Sequence, residues 1–229
     1  MARRRLTKKE WKKRRRLKVL LVFSTLVLMT VTIIGVFCSI VAKMQGKTES
    51  EIFSSFFPTK KVGKMEVTEM YLTPNEYSRP ETPLKKVKGV VVHYTGNPGT
   101  DAEANRNYFE SLKDTHTTSA SSHYVIGLDG TIIQCIPLDE MSYASNKRNV
   151  DTISIEVCHM DESGVFTTEA YDSLVGLTAW LCGKFNLKKN DIIRHYDITG
   201  KECPKYYVKH EDKWLEFKED VFQYIANNS

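Results

Sequence analysis

From Val19 to Ala42 the chain runs for twenty-four residues without a charge, and beyond residue 63 its apolar positions recur in short periodic runs. The first pattern predicts a membrane helix. At about 1.5 Å per residue it crosses a hydrocarbon layer of roughly 30 Å. A removed signal peptide has a shorter apolar stretch, about 7–15 residues, and Ala42 after Ile40 is a poor cleavage site. The expectation is one uncleaved transmembrane helix over 19–42.

The second pattern predicts a folded domain. Lys88–Thr95 is β-branched and apolar up to its histidine, as in a strand buried on both faces. Ser122–Gly127 and Thr131–Pro137 flank Leu128-Asp129-Gly130, and Asp-Gly between two such runs signals a hairpin. Thr152–Cys158 alternates as a further strand, and Ile192–His195 reads as a last short one. Three stretches follow the helical period. The first is Asp101 to about Lys113, with Ala102, Ala104, Tyr108, Phe109 and Leu112 as its apolar set. The second runs from Thr167 or Thr168 to Phe185, with Leu174, Leu177, Leu181 and Phe185 on one face. The third is His210–Ala226, with Trp214, Phe217, Val221 and Tyr224. The prediction is an α/β domain, a central mixed β-sheet flanked by helices, over residues 64–229. Residues 64–86 form its turn-rich lead-in, and 43–63 a juxtamembrane linker.

Charge changes the picture at the N-terminus. The net charge of +5 is not a chain average. Residues 1–18 hold eleven Lys or Arg and one acid, Glu10, while the remainder carries twenty-two bases against twenty-seven acids. By the positive-inside rule this basic segment is cytoplasmic, and the domain lies outside a single-pass cell-membrane anchor. Attraction to anionic lipids suffices to explain the basic run, so no nucleic-acid partner is expected. Of five cysteines, Cys38 falls in the span; Cys135, Cys158 and Cys182 read as small buried hydrophobes, and no disulfide follows from the sequence.

The chemistry concentrates in Arg194-His195-Tyr196-Asp197-Ile198-Thr199-Gly200-Lys201-Glu202-Cys203-Pro204. Imidazole and thiolate, both zinc ligands, sit either side of a turn containing glycine. His93 ends the first buried strand, where a side chain reaches an open site from a rigid backbone. Alone it reads as structural; with His195 and Cys203 it completes the three-ligand set of a catalytic zinc. Glu156 interrupts an apolar strand. It is either solvent-exposed or the base such a site needs. Lys201, between two ligands, is either a solvated loop lysine or a partner for an oxyanion.

Four segments then resemble the zinc-dependent N-acetylmuramoyl-L-alanine amidases that share the peptidoglycan-recognition-protein fold. They are Val91-Val92-His93-Tyr94-Thr95, Ser121-Ser122-His123-Tyr124-Val125-Ile126, Ile153-Ser154-Ile155-Glu156-Val157, and Arg194-His195-Tyr196-Asp197 with Lys201-Glu202-Cys203-Pro204. They occur in the family's order across about residues 85–210. The resemblance implies Zn2+ on His93, His195 and Cys203, Glu156 as general base and Lys201 as transition-state stabiliser. It implies peptidoglycan as substrate, cut between N-acetylmuramic acid and L-alanine. Some phage members carry a catalytic tyrosine where this chain has Ser122, and usually lack the strand glutamate, so the chain resembles the glutamate-using branch. His123 matches a recurrent family histidine, structural or at the substrate; with Tyr94 and Asn97 it is a candidate for substrate binding. His116, His159 and His210 fit no motif. The competing reading is a non-catalytic peptidoglycan-binding module of the same fold, which loss of a ligand would favour; none is lost.

Overall fold

The computed structural model describes residues 8–46, 48–49, 52–53 and 56–229. Arg3, Arg4 and Arg5 of the basic segment, and positions 47, 50, 51, 54 and 55 of the expected linker, lie outside the described residues. The chain divides into two compact units, one ending at Pro58 and one beginning at Thr59.

In the first unit α1 spans Lys8–Gln45. It is long and apolar enough to cross a membrane, by length and composition. It overruns the apolar stretch at both ends, because Lys and Arg are good helix formers and nothing in 8–18 breaks a helix. Past Gln45, Gly46 has φ +63. Ile52 is buried with Cys38 and Ala42 in one small cluster.

The second unit is built on six strands: β1 Thr68–Glu69, β2 Gly89–Tyr94, β3 Tyr124–Ile126, β4 Ile132–Gln134, β5 Thr152–Val157 and β6 Ile192–Arg194. Their order is β1-β4-β3-β5-β2-β6. The β3–β4 hairpin is antiparallel and the other pairs are parallel, so the sheet is mixed, as the sequence predicts. The hairpin loop is Gly127–Thr131, closed by Gly127 N–H to the Thr131 carbonyl at 2.8 Å. Two-residue β1 carries no periodic signal and was hidden in the expected lead-in.

Helices cover both faces. Val90, Val92, Ile153, Ile155, Tyr124 and Ile126 pack against α3 (Thr168–Phe185) and α6 (Glu211–Asn228). Val125, Ile133 and Cys158, on the other face, pack against α2 (Ala102–Thr115). Asp101 caps α2, accepting the Ala104 N–H at 2.7 Å, and Thr167 caps α3. The buried stripe of α2 is Ala102, Asn105, Phe109 and Leu112; Ala104 and Tyr108 are exposed, contrary to the expected set. Asn105 displaces them because its amide donates to Thr100 Oγ1 and the Asp101 carbonyl, both at 2.8 Å.

Two further differences concern boundaries. His195 does not end a strand. It opens a short helix, α4 (His195–Thr199), followed by α5 (Lys205–Lys209). The unit also starts before residue 64: Thr59 donates its N–H to Asn186 Oδ1 at 2.8 Å and its hydroxyl to the Leu187 carbonyl at 2.6 Å. From there the chain lies along α3. A Cβ on Gly183 would stand 2.7 Å from the Lys60 carbonyl oxygen, so a side chain there is excluded.

Candidate metal centre

β2 and β5 run parallel with His93 opposite Glu156, so both side chains leave the same face near the carboxyl ends of their strands. Open α/β sheets place ligands at that end. α2 covers the β3–β4 half of this face and leaves the β2–β5 half to the site. His93 Nδ1 lies 3.9 Å from Glu156 Oε1. Oε2 of Glu156 is buried without a hydrogen-bond partner. Burial pushes the Glu156 carboxyl up to about 8, and the Lys201 charge pulls the other way. The glutamate is therefore neither a solvated surface acid nor a satisfied core residue.

The other two donors come from the turn after β6. Arg194, mostly buried, anchors that turn. Its backbone N–H donates to Asp197 Oδ2 at 2.8 Å, and its guanidinium donates to Asp197 Oδ1 at 2.8 Å and the Tyr207 carbonyl at 2.9 Å. α4 ends at Gly200, whose φ of +79 suits glycine, and its N–H donates to the Tyr196 carbonyl at 2.8 Å. The chain then doubles back, with Tyr196 N–H on the Cys203 carbonyl at 2.9 Å. β6 stops pairing with β2 at Val92.

His93, His195 and Cys203 thus converge, all three buried, with their donor atoms within 4.8 Å of one another. Zinc holds its donors roughly 3–4 Å apart, and Cys203 Sγ already stands 3.8 Å from His93 Nδ1. Burial holds the His93 imidazole well below its ordinary pKa, with His195 and Lys201 adding to the effect. Burial and then Lys201 lower His195. Both rings are neutral donors at neutral pH, the form a metal requires. Burial, with Glu156 second, pushes the Cys203 thiol up to about 12, so taking up a metal there displaces a proton.

The remaining ring nitrogens are engaged. His93 Nε2 lies 3.2 Å from Ser145 Oγ, and His195 Nε2 lies 3.0 Å from Asn146 Oδ1. That leaves Nδ1 of each ring toward the cluster. A metal-bound histidine ordinarily donates its other N–H in this way, so the donor set fits zinc. Ser145 and Asn146 enter a short 3-10 turn, Asn146–Arg148, and the Asn149 side chain accepts the Ser145 N–H at 2.5 Å. Asn146 has φ +50, a conformation asparagine tolerates better than most residues. Nothing in the hydrophobic pattern singles out this pair; its only signal is a polar Ser-Asn-Lys-Arg-Asn loop.

The other predicted residues fall in three places. Lys201 is exposed at the rim, and its charge is felt by His93, His195, Cys203 and Glu156. Tyr94 is half-buried beside the cluster, its ring 4.9 Å from that of His159, and Asn97 is exposed on the loop after β2. His123 is not brought to the cleft. It is fully buried; Nδ1 accepts the Ser154 N–H at 3.1 Å and Nε2 donates to the Glu140 carbonyl at 2.9 Å.

The sequence model of the Amidase_2 family, described as N-acetylmuramoyl-L-alanine amidase, matches residues 83–206. The chain is 33% identical over 183 residues to the N-acetylmuramoyl-L-alanine amidase BlyA of Bacillus subtilis (strain 168), covering 71% of this chain and 48% of that one. It is 31% identical to CwlL of Bacillus licheniformis, an N-acetylmuramoyl-L-alanine amidase, over 72% of this chain and 49% of the relative. It spans about half the length of these curated relatives. Among solved structures, PlyL superposes with a TM-score of 0.59 at 26% identity, covering 69% of this chain and 97% of PlyL. The PlyG catalytic domain gives 0.58 at 27% identity, over 72% and 95%.

Proposed function

The chain belongs to the N-acetylmuramoyl-L-alanine amidase family, and from that membership we propose that it is a zinc-dependent hydrolase of peptidoglycan. It cleaves the amide between the lactyl group of N-acetylmuramic acid and the L-alanine of the stem peptide, at the outer face of the membrane that α1 spans. The observation that carries this reading is the Glu156 carboxylate, whose Oε2 is buried without a hydrogen-bond partner and whose Oε1 lies 3.9 Å from His93, where His195 and Cys203 also converge.

His93, His195 and Cys203 would hold the zinc, which supplies Lewis acidity at the scissile carbonyl. Glu156 takes the proton of the attacking water and delivers it to the leaving nitrogen; its raised pKa suits a group that must both accept and return a proton. Lys201, at the open rim, compensates the negative charge that grows on the carbonyl oxygen. Ser145 and Asn146 hold the two imidazoles in register. Tyr94 and Asn97 line the approach to the metal side, and His123 supports β5 from within.

The test is digestion of purified wall by the full chain in detergent, with zinc and with a chelator. Mass spectrometry should find free stem peptides with a new L-alanine N-terminus and uncut glycan, a product that the chelator abolishes and zinc restores. Zinc-loaded protein that binds wall and releases no stem peptide would make this fold a binding module instead.

A further inference from the structure

The domain has a concave surface at the end of the sheet away from the metal cluster. It is a groove of about 870 Å³, and the residues that define its chemistry are Lys64, Lys85, Lys86, Lys184, Trp180 and Phe185. The topology fixes its place. Lys85 and Lys86 lie three to four residues upstream of β2, and Lys184 and Phe185 sit at the end of α3, just before the chain returns to start β6. The groove therefore opens at the amino ends of the parallel strands, while His93 and Glu156 lie toward the carboxyl ends. A six-residue strand separates the two ends by about 20 Å.

Three observations point to its occupant. The first is charge. Residues 59–229 hold twenty Lys and Arg against twenty-five Asp and Glu. Yet the groove gathers four lysines against Glu69 and Asp139, and Glu69 is 3.7 Å from Lys64. Lys60 and Lys61, exposed on the segment along α3, extend the basic surface. The second is the aromatic rim. Trp180 and Phe185 are half-buried, with the Lys184 ammonium 5.3 Å and 5.8 Å from their ring centroids. Indole beside lysine is the composition of a membrane–water interface. The third is the entry of the chain. Thr59, the first residue of this unit, is hydrogen-bonded to Asn186, itself in the groove wall. Between the end of α1 at Gln45 and Thr59 lie residues 46–58, whose covalent reach is at most about 45 Å. The groove is thus tethered within that distance of any bilayer that holds α1.

We propose that this groove docks on the headgroups of anionic phospholipids. Phosphate meets the lysines and Trp180 lies at the interface, so the opposite end of the sheet, with the metal cluster, is left open to the wall. The inference deepens the membrane placement proposed above and rests on it.

The test uses the full chain reconstituted in vesicles of phosphatidylcholine alone, or with about one-third phosphatidylglycerol as the anionic lipid. Flotation with both vesicle types is the result expected of the anchor; failure to float overturns anchor and docking together. Floated samples are then labelled with an amine-reactive ester and read by peptide mass spectrometry. Labelling of Lys85, Lys86 and Lys184 should fall several-fold in the anionic vesicles relative to the neutral ones, while Lys213 is unchanged. Salt at about 1 M, where the Debye length is about 3 Å, should restore it. The Lys85→Glu/Lys86→Glu double variant should lose the protection of Lys184 and digest solubilised wall at the unaltered rate. Equal labelling in the two lipids, with flotation intact, overturns the docking alone. So does protection that soluble poly(glycerol phosphate) confers in neutral vesicles and phosphatidylglycerol does not, which would assign the groove to a wall polymer.

Discussion

Glu156 and Asn146 flank the cluster with different duties, and single substitutions separate them. Glu156→Gln keeps the side chain's shape and removes its basicity. Zinc content by elemental analysis should stay at the level of the unaltered chain, while turnover falls by about 10²–10⁴-fold; loss of zinc with turnover would make Glu156 a ligand rather than a base. Asn146→Ala removes the acceptor on His195 Nε2. Zinc affinity in a chelator competition should drop about 10–100-fold, and an unchanged affinity would deny the asparagine any orienting role. His123 contributes differently. Burial holds its pKa at about 4, below the ordinary 6.5, so the unfolded chain binds the proton first. Its contribution to stability is complete above about pH 6.5 and is lost as pH falls toward 4, amounting to about 2–3 kcal/mol by pH 4.5. Denaturant unfolding at pH 7 and pH 4.5 should show a smaller acid loss in His123→Gln by that amount; equal losses would mean the ring is already charged or not buried in solution. The four side chains that converge were visible in the sequence because each is a chemical group that ends an apolar run, interrupts one, or sits on a turn. Ser145 and Asn146 were not, since their partners lie about fifty residues away and only the folded sheet brings them near. A histidine before a strand reads the same whether it faces a cleft or, as His123 does, the buried Ser154.

At the scale of elements, the segment Thr59–Met65 along α3 shows where pattern stops being informative. Long helices were legible because burial repeats every three or four residues: Leu174, Leu177 and Leu181 in α3, Trp214, Phe217 and Val221 in α6. The segment across α3 is polar and extended, and the features that admit it are glycines on the helix. At Gly183 two effects compete. Gly→Ala in a helix interior gains up to about 1 kcal/mol of propensity. The new methyl group would stand 2.7 Å from the Lys60 carbonyl oxygen and 2.9 Å from the Lys61 Cα, both backbone atoms that cannot swing aside. Overpacking of this kind costs about 1–3 kcal/mol, so Gly183→Ala should lower the thermal midpoint. Gly176→Ala meets the sulfur and methyl of Met65 at 2.7 and 2.8 Å, the flexible end of a side chain, and should lower it less. A rise in midpoint for Gly183→Ala would show that the segment does not lie on α3. β1 escaped the sequence for a related reason: two residues, both exposed, are held by pairing with β4 alone.

At the scale of the whole molecule, the charge split and the hydrophobic run argue for one arrangement, and the relatives argue for the same compartment only through their chemistry. Eleven bases precede the apolar run, whereas Lys43 and Lys47 follow it closely. By the positive-inside rule that asymmetry predicts an N-terminus inside. An amidase acting on peptidoglycan must have its catalytic domain outside, so the orientation required by the proposed reaction and the orientation set by charge coincide without either having been used to infer the other. Protease added to intact spheroplasts tests the pair. It should remove residues beyond α1 and leave an N-terminal tag, with the helix, protected in the membrane. Complete digestion would mean the helix does not span. Protection of the C-terminal domain would mean the domain is inside, and would separate it from its substrate whatever the purified protein can hydrolyse.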